Sequence, residues 1–130
     1  MVAANPLHAM ARIVLIEDYE AERSVLTEAL RTMGHEVFAE SGGEAGLGRV
    51  REFVPDLVIT DLLMPGKEGM EIILEVKRCF PAIKIIAISG GGYIGKTDHL
   101  KMAKICGATC TLDKPFGPDE LKKALQTALG

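Results

Sequence analysis

The chain has 130 residues, about one domain's worth, and its 48% hydrophobic and 25% charged residues exclude an intrinsically disordered segment. Its 18 acidic and 15 basic side chains leave a net charge of −3, so no global positive field draws in a nucleic-acid backbone or an anionic membrane. No apolar run approaches the ~20 residues that a membrane-spanning helix needs. Residues 1–10 lack a basic n-region and a long apolar core. They are expected to form a flexible N-terminal extension rather than a secretory signal, leaving 11–130 as the domain. A first apolar run, Arg12–Glu17, is followed by Leu26, Ala29, Leu30 and Met33 at helical spacing, with Gly34 as the stop. A second run, Glu36–Ala39, leads into Gly43–Phe53. Gly46 and Gly48 weaken that segment as a helix by about 1 kcal/mol each relative to Ala, but parallel strands on either side require a crossover there. The third run, Asp56–Thr60, precedes a helix expected to carry Met70, Ile73, Leu74 and Lys77 on one face and to end before Pro81. After the fourth run, Ile83–Ser89, comes a glycine-rich loop and a further helix. The fifth, Ala108–Leu112, precedes a last helix with Pro118 near its start and a stripe of Leu121, Ala124, Leu125, Ala128 and Leu129.

The runs are rich in Ile and Val, and three are nearly continuous in apolar residues, as strands covered on both faces are. The alternation predicts one α/β domain, a flavodoxin-like (βα)5 doubly wound fold. Its five-stranded parallel sheet is expected in the order 2-1-3-4-5, with two helices on one face and three on the other. In such folds chemistry lies in the crevice at the carboxyl ends of the strands. There the first strand ends in Glu17–Asp18, the third in Asp61, the fourth in Ser89 and the fifth in Lys114–Pro115.

Three carboxylates brought together repel and resist ionising. A hard divalent cation such as Mg²⁺ or Mn²⁺ removes that conflict, and Mg²⁺ favours one or two carboxylates together with waters and phosphate oxygens. The Ser89 hydroxyl and the Lys114 ammonium would complete a cradle for a phosphoryl group. A carboxylate can itself be the nucleophile, so the constellation suits phosphoryl transfer to Asp61. Singly, each residue has an ordinary explanation: Asp18 as a helix cap, Asp61 as a turn residue, Lys114 as a solvated charge. Jointly they favour the site.

The stretch Val58–Ile59–Thr60–Asp61–Leu62–Leu63–Met64–Pro65–Gly66 resembles the phosphoacceptor segment of receiver domains in two-component response regulators. Glu17–Asp18 resembles their acidic pair, Ser89–Gly90 their hydroxyl–small dipeptide, and Lys114–Pro115–Phe116 their lysine–proline motif. The resemblance covers residues 11–130. It implies that Asp61 is the phosphorylation site and that Asp18, Asp61 and the Leu63 backbone carbonyl ligate Mg²⁺ directly, with Glu17 acting through a water. Ser89 and Lys114 would meet the phosphoryl oxygens, and the Lys114–Pro115 bond would be cis. It further implies a histidine kinase or histidine phosphotransfer protein as donor, a downstream protein target or effector domain, and a cytoplasmic location. The fourth helix, fifth strand and fifth helix would form the switched surface. Thr111 stands where many receivers carry an aromatic switch residue. The loop Gly90–Gly91–Gly92 is therefore expected to carry most of the switch, with Thr111 a passive packing residue.

Two other readings compete. Glu17 and Thr111 motivate a degenerate receiver that serves only as an interaction module. Gly90–Thr97 satisfies GxxxxGK[ST], the pattern of a phosphate-cradling loop, but too little chain follows it for the remaining strands of a nucleotide-binding domain. Cys106 and Cys110 lack partners spaced to finish a zinc site, and the three cysteines are expected as reduced thiols. The three histidines, His8, His35 and His99, are scattered and suggest no catalytic base.

Overall fold

A computed structural model of the chain describes residues 10–62, 69–90 and 96–130, the stretch 96–100 by its backbone alone. The apolar runs form β1 (Arg12–Ile16), β2 (Glu36–Glu40), β3 (Leu57–Asp61), β4 (Lys84–Ser89) and β5 (Cys110–Asp113). Between and after them lie α1 (Glu20–Thr32), α2 (Gly43–Phe53), α3 (Gly69–Cys79), α4 (Lys96–Cys106) and α5 (Pro118–Leu129). All strand pairs are parallel, in the order β2-β1-β3-β4-β5.

Strand alternation divides the core into two layers. Ile13, Leu15, Leu57, Ile59, Ile86 and Ile88 pack with α1 and α5 on one face. Val14, Ile16, Val58, Ile85 and Ala87 pack with α2, α3 and α4 on the other. The two-and-three distribution of helices follows the expectation from sequence.

In α1, Leu26 and Leu30 are buried, and Ala29 and Met33 pack against the same cluster. Gly34 follows at φ +98°, a left-handed turn that suits glycine. In α5, Leu121, Ala124, Leu125 and Ala128 are buried as the stripe requires, and the Glu120 carboxylate accepts the Gly117 N–H at 2.7 Å. Gly46 accounts for the weak helical signal of α2: a Cβ there would lie 2.3 Å from Ile16 Cδ1. The glycine lowers helix propensity, but it lets α2 lie close against β1 directly below the strand's functional end.

The α3 face differs from the one expected. Gly69, Ile72, Ile73 and Val76 are buried, whereas Leu74 is 52% exposed. Apolar residues occupy both candidate stripes, and the one that includes Ile72 and Val76 buries more β-branched surface against the sheet. Lys77 serves instead as a brace, its ammonium donating to the Pro81 and Ile83 carbonyls at 3.0 and 2.8 Å.

Val54 terminates α2 at φ 43°, ψ 72°. A β-branched side chain in the left-handed region is strained, and this one is half exposed, so little packing offsets the strain. Val54→Asn, whose side chain tolerates that conformation, should raise unfolding stability by about 1 kcal/mol. The measure is the urea midpoint at constant m-value; an unchanged or lower midpoint would show the turn to be unstrained.

The three cysteines are free thiols. No helix among the described residues is long and apolar enough to cross a membrane.

Candidate functional site

At the sheet's carboxyl edge, backbone hydrogen bonds tie the strand ends to one another. The Glu17 N–H donates to the Glu40 carbonyl at 3.0 Å, Leu62 N–H to Ile88 O at 2.8 Å, and Lys114 N–H to Ser89 O at 2.9 Å. The side chains emerging there are thus held on a rigid frame. Among the described residues, Glu17, Thr60, Asp61 and Ser89 are the buried polar ones, at 1, 0, 5 and 0% exposure.

A single ammonium organises the carboxylates. Lys114 Nζ donates to Asp61 Oδ2 at 2.8 Å, to Glu17 Oε1 at 3.1 Å, and to Glu22 Oε1. Oxygens of Glu17, Glu22 and Asp61 lie within 4.8 Å of one another, close enough to share a metal ion. Glu17 also accepts the Tyr19 N–H at 3.1 Å. Burial and, further, the charge of Asp61 push the Glu17 carboxyl up to about 7, although the Tyr19 N–H and Lys114 pull it down. Burial alone would lower the Lys114 pKa, but its bonds to Asp61, Glu22 and Glu17 outweigh that and raise it above the ordinary lysine value.

Of the expected residues, the structure brings Glu17, Asp61 and Lys114 into direct contact. Asp18, two residues beyond the end of β1, is exposed and outside the carboxylate trio. The backbone carbonyls of Glu17 and Asp18 instead receive the Arg23 guanidinium at 2.9 and 3.4 Å. Ser89 sits at the end of β4 with its hydroxyl 3.4 Å from Gly90 O. At Gly90 a Cβ would meet nothing within 4 Å among the described residues. Thr111 is half-buried in β5 opposite Ala87. The Lys114–Pro115 peptide is cis, as expected. Leu63, Gly91 and Gly92 lie outside the described residues, as do residues 1–9 of the N-terminal extension and the loop half of the GxxxxGK[ST] pattern.

Glu22 was not anticipated. Acidic residues in a helix's first turn ordinarily complement its dipole, and Glu22 with Glu20 fits that description. The available signal was distance along the chain: one turn past Asp18, a glutamate can reach back over the strand end.

The arrangement is therefore a set of hard oxygen donors around one cation, with a buried hydroxyl at the neighbouring strand end. Its oxygens are placed closely enough that they could hold a divalent ion, and it presents a buried carboxylate beside a fixed positive charge.

Comparison with known proteins agrees with this geometry. The model of the response regulator receiver domain family matches residues 13–126. Sporulation initiation phosphotransferase F of Bacillus subtilis is 30% identical over 118 residues, covering 91% of this chain and 93% of that protein. The DNA-binding transcriptional regulator NtrC of Azospirillum brasilense is 37% identical over 120 residues, covering 92% of this chain but only 24% of that protein. A response regulator receiver domain protein from Clostridium thermocellum superposes with a TM-score of 0.86 at 31% identity, covering 92% of this chain and 94% of that one.

Proposed function

Because the chain belongs to the response regulator receiver domain family of two-component systems, we propose that Asp61 accepts a phosphoryl group from a phosphohistidine. The donor would be a histidine kinase or a histidine phosphotransfer protein. An Asp61 carboxylate oxygen attacks phosphorus, the P–N bond breaks, and the departing imidazole recovers a proton from its surroundings. The product is an acyl phosphate. The chain acts on no substrate but itself, so it is a signalling domain rather than an enzyme of general turnover.

The observation that carries this reading is the ion-paired pocket: a carboxylate 5% exposed and held 2.8 Å from an ammonium at a strand end. Lys114 would meet the oxygens of the transferred group as a point charge, and Ser89 would supply a hydroxyl. The carboxylate set is all hard oxygen, and burial, with a lesser push from the Asp61 charge, raises the Glu17 carboxyl; a set of oxygen donors fits Mg²⁺ or Mn²⁺. Glu17, Asp18 and Asp61 would hold the ion, together with the Leu63 carbonyl. When bound, the ion neutralises charge on the transferring phosphoryl group.

Output would pass through a surface of α4, β5 and α5 to a downstream protein or effector domain. Met102 and Ile105 on α4 are 49 and 78% exposed, which gives that surface apolar anchors. The family match runs through the glycine-rich segment to residue 126, which supports reading its GxxxxGK[ST] pattern as part of the receiver domain rather than as a nucleotide site.

Incubation with an acyl phosphate such as acetyl phosphate and Mg²⁺ should add one phosphate to the intact mass. The addition should vanish in Asp61→Asn and with excess chelator. A folded protein whose mass stays unchanged under several donors is a degenerate receiver, and the proposal fails.

A further inference from the structure

An ammonium has three N–H donors, and in this site three carboxylates take them: Asp61, Glu17 and Glu22. A phosphoryl group on Asp61 needs a donor from the same ammonium, so one existing bond has to be given up. Asp61 carries the incoming group and stays in place. Glu17 is almost fully buried, and withdrawing Lys114 from it leaves a buried carboxylate short of its counter-charge, which is costly. Glu22 is different. Its side chain is 42% exposed, Lys114 is its sole partner among the described residues, and it sits in the first turn of α1 at the rim of the site. Turned outward, it is solvated and strands nothing.

We propose that Glu22 is a latch on Lys114: it occupies the donor that a phosphoryl group on Asp61 requires, and its release accompanies formation of the phosphorylated state. This rests on the phosphoacceptor reading of Asp61. Glu22 acts only through Lys114 and is a positioning residue, not a catalytic one. The latch sets how far the unmodified state is favoured over the phosphorylated one, and a phosphodonor or effector that draws Glu22 away would ease the transfer.

The test is the affinity for beryllofluoride, a non-transferable phosphoryl mimic, at saturating Mg²⁺ in wild type, Glu22→Ala, Glu22→Gln and Glu22→Asp. Glu22→Ala should bind about fivefold tighter, the scale of a part-exposed ion pair. Glu22→Gln should gain less, since its amide oxygen still accepts a weaker bond. Glu22→Asp keeps the charge but is one methylene too short to reach, so it should follow Glu22→Ala. Unchanged affinities would overturn the latch, as would weaker binding in the variants. So would a Glu22→Asp that matches wild type while Glu22→Ala gains, because the effect would then be that of charge alone. If wild type itself fails to bind the mimic, both the phosphoacceptor reading and the latch fail. If wild type binds and the variants are flat, only the latch does.

Discussion

Replacing Lys114 with methionine is expected to destabilise the protein by about 3 kcal/mol at pH 8, and by distinctly less at pH 5. The substitution keeps most of the side chain's volume and removes the ammonium bonded to Glu17, Glu22 and Asp61. Two of those carboxylates are almost wholly buried, and breaking a buried pair by deleting one partner leaves an uncompensated charge. The pH dependence follows from Glu17. Its carboxyl is raised to about 7 from the 4.5 of an unperturbed glutamate, so the folded state binds this proton more tightly than the unfolded chain does. A raised carboxyl contributes its stability below the unfolded value and loses it as pH climbs through the folded one. Without the lysine the pKa rises further, so the variant's deficit widens between pH 5 and pH 8. Chemical denaturation of both proteins at the two pH values measures it. A deficit below about 1 kcal/mol, or one independent of pH, would show that the ammonium does not hold the cluster together.

The second large effect is expected at Gly69. A Cβ at this position would stand 2.3 Å from the Asp61 carbonyl oxygen and 2.6 Å from Leu62 Cα. Both are backbone atoms at the end of β3, and the Gly69 N–H itself donates to Leu62 O at 3.2 Å. Neither can turn aside as a side chain would. Gly69→Ala should therefore cost about 2–3 kcal/mol and shift the Asp61 backbone. Gly48→Ala is the matched control. That glycine lies inside α2 with nothing within 4 Å of a Cβ, so alanine there should stabilise by about 0.5–1 kcal/mol through helix propensity. Thermal unfolding of the two variants should move in opposite directions. Equal shifts would mean that α3 does not approach the strand end as closely as the contact requires.

These two residues also show how much of the molecule could be read in its sequence. The three central strands were legible because fully covered parallel strands must be apolar on both faces, and Ile, Val and Leu dominate their runs; the edge strands, with one Val and one Leu, were placed by the alternation of runs and helices. Lys114 and Asp61 were legible as a pair because a right-handed parallel sheet puts both strand ends on one edge. Gly46 read only as a poor helix former and Gly69 carried no signal at all, since the purpose of each is a contact with a distant element that propensity does not record. Leu74 was assigned to the buried face because two apolar stripes overlap on α3, and periodicity alone does not choose between them. Asp18 was read with Glu17 at the end of the first strand; in the structure it is exposed, and the carboxylate oxygens that lie together are those of Glu17, Glu22 and Asp61. Glu22 entered the site from a helix rather than a strand end, which is why a search of strand ends passed over it.

The most direct test of the phosphoacceptor role is chemical localisation of the modification. Protein treated with acetyl phosphate and Mg²⁺ is reduced with borohydride, which converts an acyl phosphate of aspartate into homoserine, and is then digested and sequenced by tandem mass spectrometry. The account predicts homoserine at position 61 and nowhere else, and none when the donor is omitted. Homoserine at Asp18 or another carboxylate, or a phosphate that resists borohydride on a hydroxyl such as that of Ser89, would contradict it.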